Sequence, residues 1–333
     1  MRRSLKNGYV QDKKEGLVMT CGKEEGRRRV DLHVHSNHSD GLLKVEDVVR
    51  RAREAEVDLL SITDHDTLAG VMDGMRFARE AGMEFVSGVE ISCGYKGIEV
   101  HILGYGILIR EAAKLEKVLE RNRQAREHRI QVILANCCEA GILDMEYGEL
   151  CVLAERFGRK PSCMDVLLAR MEKGKVPFAK AWEEIMRPDV LAGDGSYREM
   201  LLSPNEAVKA IVRSGGVAIL AHPGETYERL GKNEEEMGKL METLVLDRLD
   251  GLEIHHLANE KIKDFAPMLA QWQREYCLRV SSAGSDNHGI ADYRAKIGRY
   301  TMNEDELEVF NQMVEMRRRP HLSQICQEGE VWK

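Results

Sequence analysis

The chain has 333 residues, of which 43% are hydrophobic and 32% are charged, and its formal net charge is −7. This length and apolar content suffice for one large domain or two modest ones. The acidic balance argues against a protein that holds long duplex nucleic acid through a broad basic surface, but it allows a small phosphorylated ligand. No stretch approaches the about 18 apolar residues of a membrane helix, and no signal peptide is evident. A cytoplasmic protein with eight reduced cysteines is expected.

The first 28 residues are polar and rich in charge, which predicts a flexible leader. From Arg29 onward, short β-rich runs recur, and helical patterns such as residues 44–57 and 68–82 lie between several of them. The seven candidate strands are residues 30–34, 57–63, 83–91, 98–105, 216–222, 249–255 and 278–286.

Alternation of strands and helices predicts a parallel sheet with helices packed outside it. Residues 83–105 are the exception, because two strands flank the short link SCGYKG and could pair as a hairpin. Between residues 107 and 207 the strand signal disappears and the sequence becomes helical. We therefore expect a catalytic domain formed by residues 29–106 and 208–333, interrupted by a helical insertion that caps the substrate.

Histidines and carboxylates follow the candidate strands in an ordered way. His33 and His35 alternate along one strand, so both side chains point to the same face and can bind one ion. The later candidate metal ligands are Asp40, His65, Glu90, His101, His222, Asp286 and His288. At the carboxyl ends of parallel strands such side chains converge, and the set is large enough for two or three divalent ions.

The alternative for any single histidine is a structural residue with satisfied hydrogen bonds. The joint pattern is harder to explain in that way, because partly buried imidazoles and carboxylates need partners. Metal ions supply those partners.

The ordered runs VDLHVHSNHSDG, LLSITDHDTLAG, GVEIS, EVHILGYGI, GGVAILAHPGE and GSDNHG resemble the polymerase and histidinol phosphatase (PHP) superfamily, in particular its stand-alone phosphoesterases. The resemblance implies an α/β fold, a distorted (β/α)7 TIM-like barrel with a helical insertion, and a trinuclear site of Mn, Zn or Fe. It assigns the first ion to His33, His35, Glu90 and Asp286, and the second to Asp40, His65 and His288. It assigns the third to Glu90, His101 and His222.

Arginines are the candidate substrate ligands. Arg123, Arg126 and Arg129 have three-residue spacing and could face an anionic substrate from one side of their helix, although a solvated charged face is the simpler alternative. In FGRKPS, which stands where the family usually has Gly-Arg-Pro-His, Arg159 remains a candidate phosphate ligand and catalytic residue. Lys160, Pro161 and Ser162 depart from that pattern.

Three further residues near the predicted ligands have open roles. Asp66 could assist proton transfer or orient a ligand, but it could equally cap the helix that starts near Leu68. His255 could line the substrate pocket. His256, beside it, is not predicted to bind a metal.

These observations predict a metal-dependent phosphoesterase in which metal-activated hydroxide attacks a small phosphate ester, most plausibly a nucleoside mono- or bisphosphate. A 5′-3′ exonuclease on short RNA, a histidinol phosphatase and a non-catalytic metal-binding module stay open as alternatives. An amidohydrolase-type barrel is disfavoured, because no lysine stands where its bridging ligand would be. A monomer or a small homo-oligomer is expected, with no membrane partner.

Overall fold

The computed structural model describes residues 26–191, 196–290 and 295–328, with the backbone alone at residues 188 and 320–328. Most of the predicted leader, residues 1–25, lies outside the described residues. The strands are β1 (Arg27–Val34), β2 (Leu59–Ile62), β3 (Glu84–Phe85), β4 (Gly88–Tyr95), β5 (Ile98–Tyr105), β6 (Val217–Leu220), β7 (Gly251–His255), β8 (Val280–Ala283) and β9 (Tyr300–Asn303).

The strands form two mixed sheets. One has the order β3-β2-β1-β9, with β9 antiparallel to β1 and the other pairs parallel. The second has the order β4-β5-β6-β7-β8, in which β5 is antiparallel to both neighbours. Isolated parallel bridges join the sheets at His65–Glu90 and Val34–Asn287. The mixed α/β fold is confirmed, whereas closure into one barrel is not seen among the described residues and stays a prediction.

Helices occupy most of the remaining described chain. The first two are α1 (Val45–Glu54) and α2 (Val71–Glu80), and between β5 and β6 follow α3 (Ile109–Glu139), α4 (Tyr147–Glu155), α5 (Cys163–Gly174), α6 (Phe178–Ile185), α7 (Pro188–Leu191), α8 (Ser196–Met200) and α9 (Pro204–Arg213). The later ones are α10 (Pro223–Arg229), α11 (Glu234–Leu246), α12 (Leu257–Glu260), α13 (Phe265–Glu275) and α14 (Glu304–Glu328).

The predicted hairpin is present as the antiparallel pair β4–β5. Lys96 and Gly97 form its turn with φ of 46° and 78°, the left-handed conformation that two-residue hairpin turns require. The run 83–91 is not the single strand that its sequence suggested. It divides into β3 and β4, which belong to different sheets, so the chain passes from one sheet to the other at this point.

The helices between β5 and β6 have an apolar cluster of their own. Ile133 on α3, Leu150 on α4, Val166 on α5 and Ile185 on α6 pack together and are fully or almost fully buried. The strands pack against different clusters, of which one joins β4 and β5 to α9 and α11. This separation fits the predicted helical insertion, whose boundaries stay a prediction. No helix in the described part of the chain is long and apolar enough to cross a bilayer.

Candidate metal centre

The end of β1 is held directly against the segment that follows β8. The Asp286 amide donates to the His33 carbonyl at 2.7 Å, and the His35 amide donates to the Asn287 carbonyl at 3.0 Å. A Cβ at Gly284 would lie 2.2 Å from the His33 Cβ, so only glycine allows this approach. The pairing brings the two predicted ligand segments, far apart in sequence, to one place.

Three groups of predicted ligands have side-chain atoms that all lie within 4.8 Å of one another. They are His33, His35, Glu90 and Asp286; His35, Asp40, His65 and His288; and His65, Glu90 and His101. These groups overlap the ligand sets that the family resemblance implies, and they share members, as a multinuclear centre requires. Their role as ligands stays a prediction.

Glu90 lies at the centre of these groups. Its Oε2 is 3.2 Å from one nitrogen of each of three imidazoles, those of His33, His35 and His65. Its Oε1 is 2.9 Å from His101 Nδ1 and 3.1 Å from His222 Nε2. Glu90 therefore lies beside five of the other eight predicted ligands.

Several of the central atoms are buried without a hydrogen bond. His33 Nε2, His35 Nε2 and Glu90 Oε2 have no hydrogen-bond partner of acceptable geometry among the described residues. Leaving buried polar atoms in this state is costly, and a cation between them would satisfy all three. Neutral imidazole nitrogens and carboxylate oxygens are the donor set that Mn, Fe and Zn accept, so the residues fit divalent metal ions.

The carboxylates of the centre are kept ionised by their neighbours. Burial acts to raise the pKa of Glu90, but the imidazoles of His65, His33 and His101 outweigh it and hold that pKa well below its ordinary value. Asp40 behaves in the same way: burial opposes its charge, and His288 next to it contributes most to lowering its pKa. Both groups can therefore act as anionic ligands at neutral pH.

The loop that carries Asp40 is fastened by a carboxylate from the next strand end. Asp64 Oδ1 accepts the Ser36 amide at 2.7 Å and the Ser39 hydroxyl at 2.6 Å, while its Oδ2 accepts the Ser36 hydroxyl at 2.6 Å. Asp64 thus supports the segment next to two predicted ligands without being one of them. It holds the segment that connects His35 to Asp40.

Three residues at this site have a strained backbone. Asp66, His222 and Asp286 have φ of 56°, 25° and 53°, in the left-handed region that favours glycine. Each such residue costs about 1–3 kcal/mol, and such strain is retained where the surrounding structure fixes it, often at functional sites. The backbone conformation of these three residues therefore costs stability, and the surrounding contacts hold their side chains in place.

Asp66 does not cap a helix. Helix α2 begins at Val71 after Gly70 and has no side-chain cap, so the capping alternative is wrong. Asp66 Oδ1 instead accepts the Ser92 amide at 2.9 Å and the Asn122 amide group at 2.7 Å. Burial raises the pKa of Asp66, against the opposing charge of Arg126. Its catalytic role stays a prediction.

Two buried carboxylates that sequence reasoning missed lie behind the histidines. Glu253 Oε1 is 3.0 Å from His33 Nδ1, and Glu99 Oε1 is 3.1 Å from His101 Nε2. The signal available in the sequence was an acidic residue inside an apolar strand, as in the run LEI around Glu253. That signal shows burial but not the partner.

A cavity of about 310 Å³ opens beside the centre, between the Asp40 loop, α3 and the segment before α5. Its lining includes His38 and His65 and five cationic side chains, which are Arg123, Arg126, Arg129, Arg159 and Lys160. The predicted arginine face of α3 thus borders a cavity and is not simply a solvated surface. Two carboxylates, Glu120 and Glu127, also line the cavity, so its charged side chains are positive on balance, and it gives access to the predicted ligand His65.

The α3 arginines are held by acidic partners. Arg126 lies 3.3 Å from Asp40 Oδ2 and donates to the Ser92 hydroxyl at 2.9 Å. Arg129 donates to Glu99 Oε2 at 3.0 Å. Arg123 donates to the Asp66 carbonyl at 2.8 Å and pairs with carboxylates of its own helix.

Arg159 is the most buried of these cations, with 2% of its side chain exposed. One terminal nitrogen pairs with Asp165 and donates to the Ser162 hydroxyl at 2.8 Å. Its Nε and Nη2 are buried without a hydrogen-bond partner among the described residues. His255 lies elsewhere, 2.9 Å from Glu306 on α14, and does not line this cavity. Substrate contacts of both residues stay predictions.

The sequence matches the family described as "PHP domain" over residues 31–276. The chain belongs to the PHP family. A 5′-3′ exoribonuclease of Haemophilus influenzae is 29% identical over 78% of this chain and 90% of that protein. A phosphoribosyl 1,2-cyclic phosphate 1,2-diphosphodiesterase of Eggerthella lenta is 32% identical over 78% of this chain and 94% of its own length. A 3′,5′-nucleoside bisphosphate phosphatase of Chromobacterium violaceum is 32% identical over 66% of this chain and 72% of its own.

The fold also has a counterpart among solved structures. A protein of Bifidobacterium adolescentis, described as a metal-dependent phosphoesterase, has a TM-score of 0.70 at 21% identity, covering 86% of this chain and 96% of that one. At this identity the likeness concerns the fold alone. With the family match, the predicted function class is confirmed: this PHP protein is a metal-dependent hydrolase of phosphoric esters.

Proposed function

We propose that this PHP protein hydrolyses small phosphate esters, and that its substrate is a nucleoside mono- or bisphosphate. The observation that carries the proposal is the cationic cavity beside the buried histidine and carboxylate cluster. Its volume of about 310 Å³ lies at the lower end of ligand pockets, which favours a small substrate over a long polymer.

The proposed metal content is two or three divalent ions, Mn, Zn or Fe. His33, His35, Glu90 and Asp286 would hold the first. Asp40, His65 and His288 would hold the second, and His101 and His222 would join Glu90 at a third. When bound, the ions supply Lewis-acid charge and lower the pKa of a coordinated water towards neutrality.

The protein side chains bind and orient the phosphate. Arg159 is anchored through one nitrogen by Asp165 and Ser162, and its other two nitrogens are buried without a hydrogen-bond partner among the described residues. In the proposal these nitrogens pair with phosphate oxygens and stabilise charge that builds up during the reaction. Arg123 and Arg126 add positive charge along α3. The proton donor for the leaving oxygen stays open, with Asp66 as one candidate.

The remaining fold predictions belong to the same proposal. The helices between residues 107 and 207 would act as the cap over the substrate, since α3 and the segment before α5 line the cavity. The two sheets would correspond to the distorted seven-stranded barrel of the family, joined at the His65–Glu90 and Val34–Asn287 bridges.

Product analysis tests the substrate assignment. The Mn-loaded protein is incubated separately with AMP, adenosine 3′,5′-bisphosphate and a five-nucleotide RNA, and products are resolved by mass. We expect inorganic phosphate from the nucleotides at a higher kcat/KM than mononucleotides from the RNA. Stepwise release of mononucleotides as the faster reaction would instead support the exoribonuclease alternative, which the Haemophilus relative's name favours.

Two further substrates and one variant complete the comparison. Histidinol phosphate tests the histidinol phosphatase alternative. A 1,2-cyclic phosphate of ribose 5-phosphate tests the activity named for the Eggerthella relative. If Asp286→Ala lost metal while every hydrolytic rate stayed at the level of the unsubstituted protein, the measured rates would not arise at this centre, and a non-catalytic metal module would be the better assignment.

A further inference from the structure

Glu253 is a buried carboxylate behind the candidate metal centre, and both its oxygens are engaged. It lies on β7 between Leu252 and Ile254, with no solvent exposure. Oε1 is 3.0 Å from His33 Nδ1. Oε2 accepts the backbone N–H of His222 at 2.8 Å. A single side chain therefore connects two predicted ligands that are contributed by β1 and by the end of β6.

The contact with His33 determines which ring nitrogen of that imidazole can bind a metal ion. A carboxylate accepts hydrogen bonds, so His33 Nδ1 carries the proton and donates it to Glu253. The lone pair is then on Nε2, the buried atom that faces Glu90 Oε2 at 3.2 Å without a hydrogen bond. The tautomer is the one that a metal ligand needs, and a carboxylate behind the ring also makes it a better electron donor.

The contact with His222 fixes a strained backbone. His222 has φ of 25° and stands directly before Pro223, which begins α10. Nothing about a free peptide favours this conformation, so a hydrogen bond to its N–H helps to retain it. The side chain of His222 can then lie 3.1 Å from Glu90 Oε1.

A direct ligand role for Glu253 is a different possibility, since His33, Glu253 and His256 also form a compact group. The contacts disfavour it. In this group His33 Nδ1 and Glu253 Oε1 already pair with each other, and His256 Nδ1 accepts the Ala258 N–H at 3.1 Å, which places the proton of a neutral His256 ring on Nε2. All three groups are thus used in hydrogen bonds.

We propose that Glu253 is the positioning residue of the metal centre: it fixes the His33 tautomer through Oε1 and the His222 backbone through Oε2. This inference rests on the proposed metal-binding function. It adds a residue that the family-derived ligand set does not contain.

Glu253→Gln is the decisive variant, because glutamine has the same shape but only one acceptor oxygen. It can serve His33 or His222, and its amide group must then face the other N–H. Loss of a partner behind a metal ligand typically weakens metal binding roughly 10–100-fold. We expect a rise of this size in the dissociation constant of at least one ion, measured on the holoenzyme by chelator competition without substrate.

Glu306→Gln is the matched control. Glu306 also pairs with a histidine of β7, His255 at 2.9 Å, but this pair lies outside the candidate metal centre. Its metal affinity should equal that of the unsubstituted protein. If both variants lowered the affinity equally, or neither did, the positioning role would be wrong.

Metal rescue separates positioning from a merely structural role. At limiting Mn the kcat of Glu253→Gln should fall, and saturating Mn should restore it, while KM stays unchanged because the arginine cavity is not altered. A variant that unfolds more easily at every metal concentration, with unchanged metal affinity, would overturn the inference.

A measurement on the unsubstituted protein tests the His33 tautomer directly. In the Zn-loaded protein, long-range ¹H–¹⁵N spectra should show His33 Nδ1 protonated and Nε2 metal-bound, with the ring assigned by its loss in His33→Asn. An unprotonated Nδ1 would overturn the inference. Normal metal binding with no phosphoester hydrolysis would overturn only the proposed function, whereas unaltered metal affinity in Glu253→Gln would overturn only the role of Glu253.

Discussion

At the scale of single residues, the contacts of Asp66 do not fit the proton transfer that was predicted for it. It is completely buried, and Oδ1 accepts two hydrogen bonds, from the Ser92 amide and from Asn122 on α3. It does not line the cavity. These contacts favour a role in positioning α3 over proton transfer to a leaving group, which requires reach to the substrate.

Asp66→Asn distinguishes the two roles. Asparagine keeps an acceptor oxygen at Oδ1, so we expect a normally folded protein whose kcat falls by less than about tenfold. Removal of a general acid typically costs about 10²–10⁴ in rate. Steady-state kinetics with AMP at saturating metal would measure the difference, and a fall of 10³ with unchanged metal content would support the catalytic assignment instead.

Arg159, in contrast to Asp66, belongs to the lining of the cavity, and two of its nitrogens have no hydrogen-bond partner among the described residues. Arg159→Lys keeps a positive charge near Asp165 but removes the planar fork that can hold two phosphate oxygens. Hydrogen bonds to charged groups contribute about 1.5–3 kcal/mol, so we expect KM for a nucleotide to rise about tenfold or more. Metal content should not change.

Arg156→Lys is the control for this substitution. Arg156 is exposed and pairs with Glu172 away from the cavity, so its replacement should leave KM unaltered. Equal KM values for Arg159→Lys and the unsubstituted protein would limit Arg159 to holding the start of α5.

The candidate ligands could be found from sequence because the chemistry is local: a histidine or carboxylate stands at the end of an apolar run. The structure brings the nine into one region in which Glu90 lies beside five imidazoles, although His222 belongs to none of the compact groups. Glu253 and Glu99 could not be found in this way. A buried acid inside a strand has no partner that is near in sequence, and only the pairing of β1 with distant segments brings His33 to Glu253.

At the scale of elements, α3 is the component that connects the cavity to the sheets. Asn122, on its buried side, donates to Asp66 and to the Ser92 carbonyl, both at 2.7 Å, and accepts the Leu202 amide at 2.9 Å. Arg123 and Arg126 come one and four residues later on α3 and line the cavity. The fully buried side-chain amide of Asn122 thus fixes the position of α3, and with it that of the arginines, relative to the metal centre.

Asn122→Ala should therefore loosen α3. Three buried polar groups would each lose a hydrogen bond, although Asp66 Oδ1 keeps the one from the Ser92 amide, and a buried group left unsatisfied costs about 1–3 kcal/mol. We expect the free energy of unfolding in urea to fall by about 2 kcal/mol or more, with metal content retained at saturating Mn. Gln124→Ala on the same helix removes only an exposed bond to Glu120 and should change stability little. Equal stabilities of the two variants would contradict this role for Asn122.

Element boundaries were predictable where the local pattern is complete. The β4–β5 hairpin and the helical character between β5 and β6 followed from alternation and periodicity. The crossing between β3 and β4 did not, because an apolar run does not reveal that Val86 and Ser87 separate two sheets. Strand β9 was missed for a related reason: Tyr300–Asn303 is short and gains its pairing only from the distant β1.

At the scale of the whole molecule, two sheets meet where the predicted ligands are densest. Both isolated bridges between them involve or adjoin these ligands, at His65–Glu90 and at Val34–Asn287. The region where the backbone joins the two sheets is therefore also the candidate metal centre. Ions bound there would hold the two sheets together as well as serve catalysis.

Metal removal should consequently destabilise the entire protein. Ions that bind only the folded state stabilise it by mass action, by about 2.7 kcal/mol when free metal is 100 times its dissociation constant. Without ions, buried atoms such as His35 Nε2 and Glu90 Oε2 lack partners, and the anionic groups around them repel one another. We expect the thermal unfolding midpoint to fall on treatment with a chelator and to recover when Mn or Zn is returned in excess.

Glu90→Gln, which weakens the shared central ligand, should have a lower midpoint that responds little to either treatment. A midpoint of the unsubstituted protein that is independent of metal would show that the junction is held by hydrogen bonds alone, and that the ions serve only the chemistry.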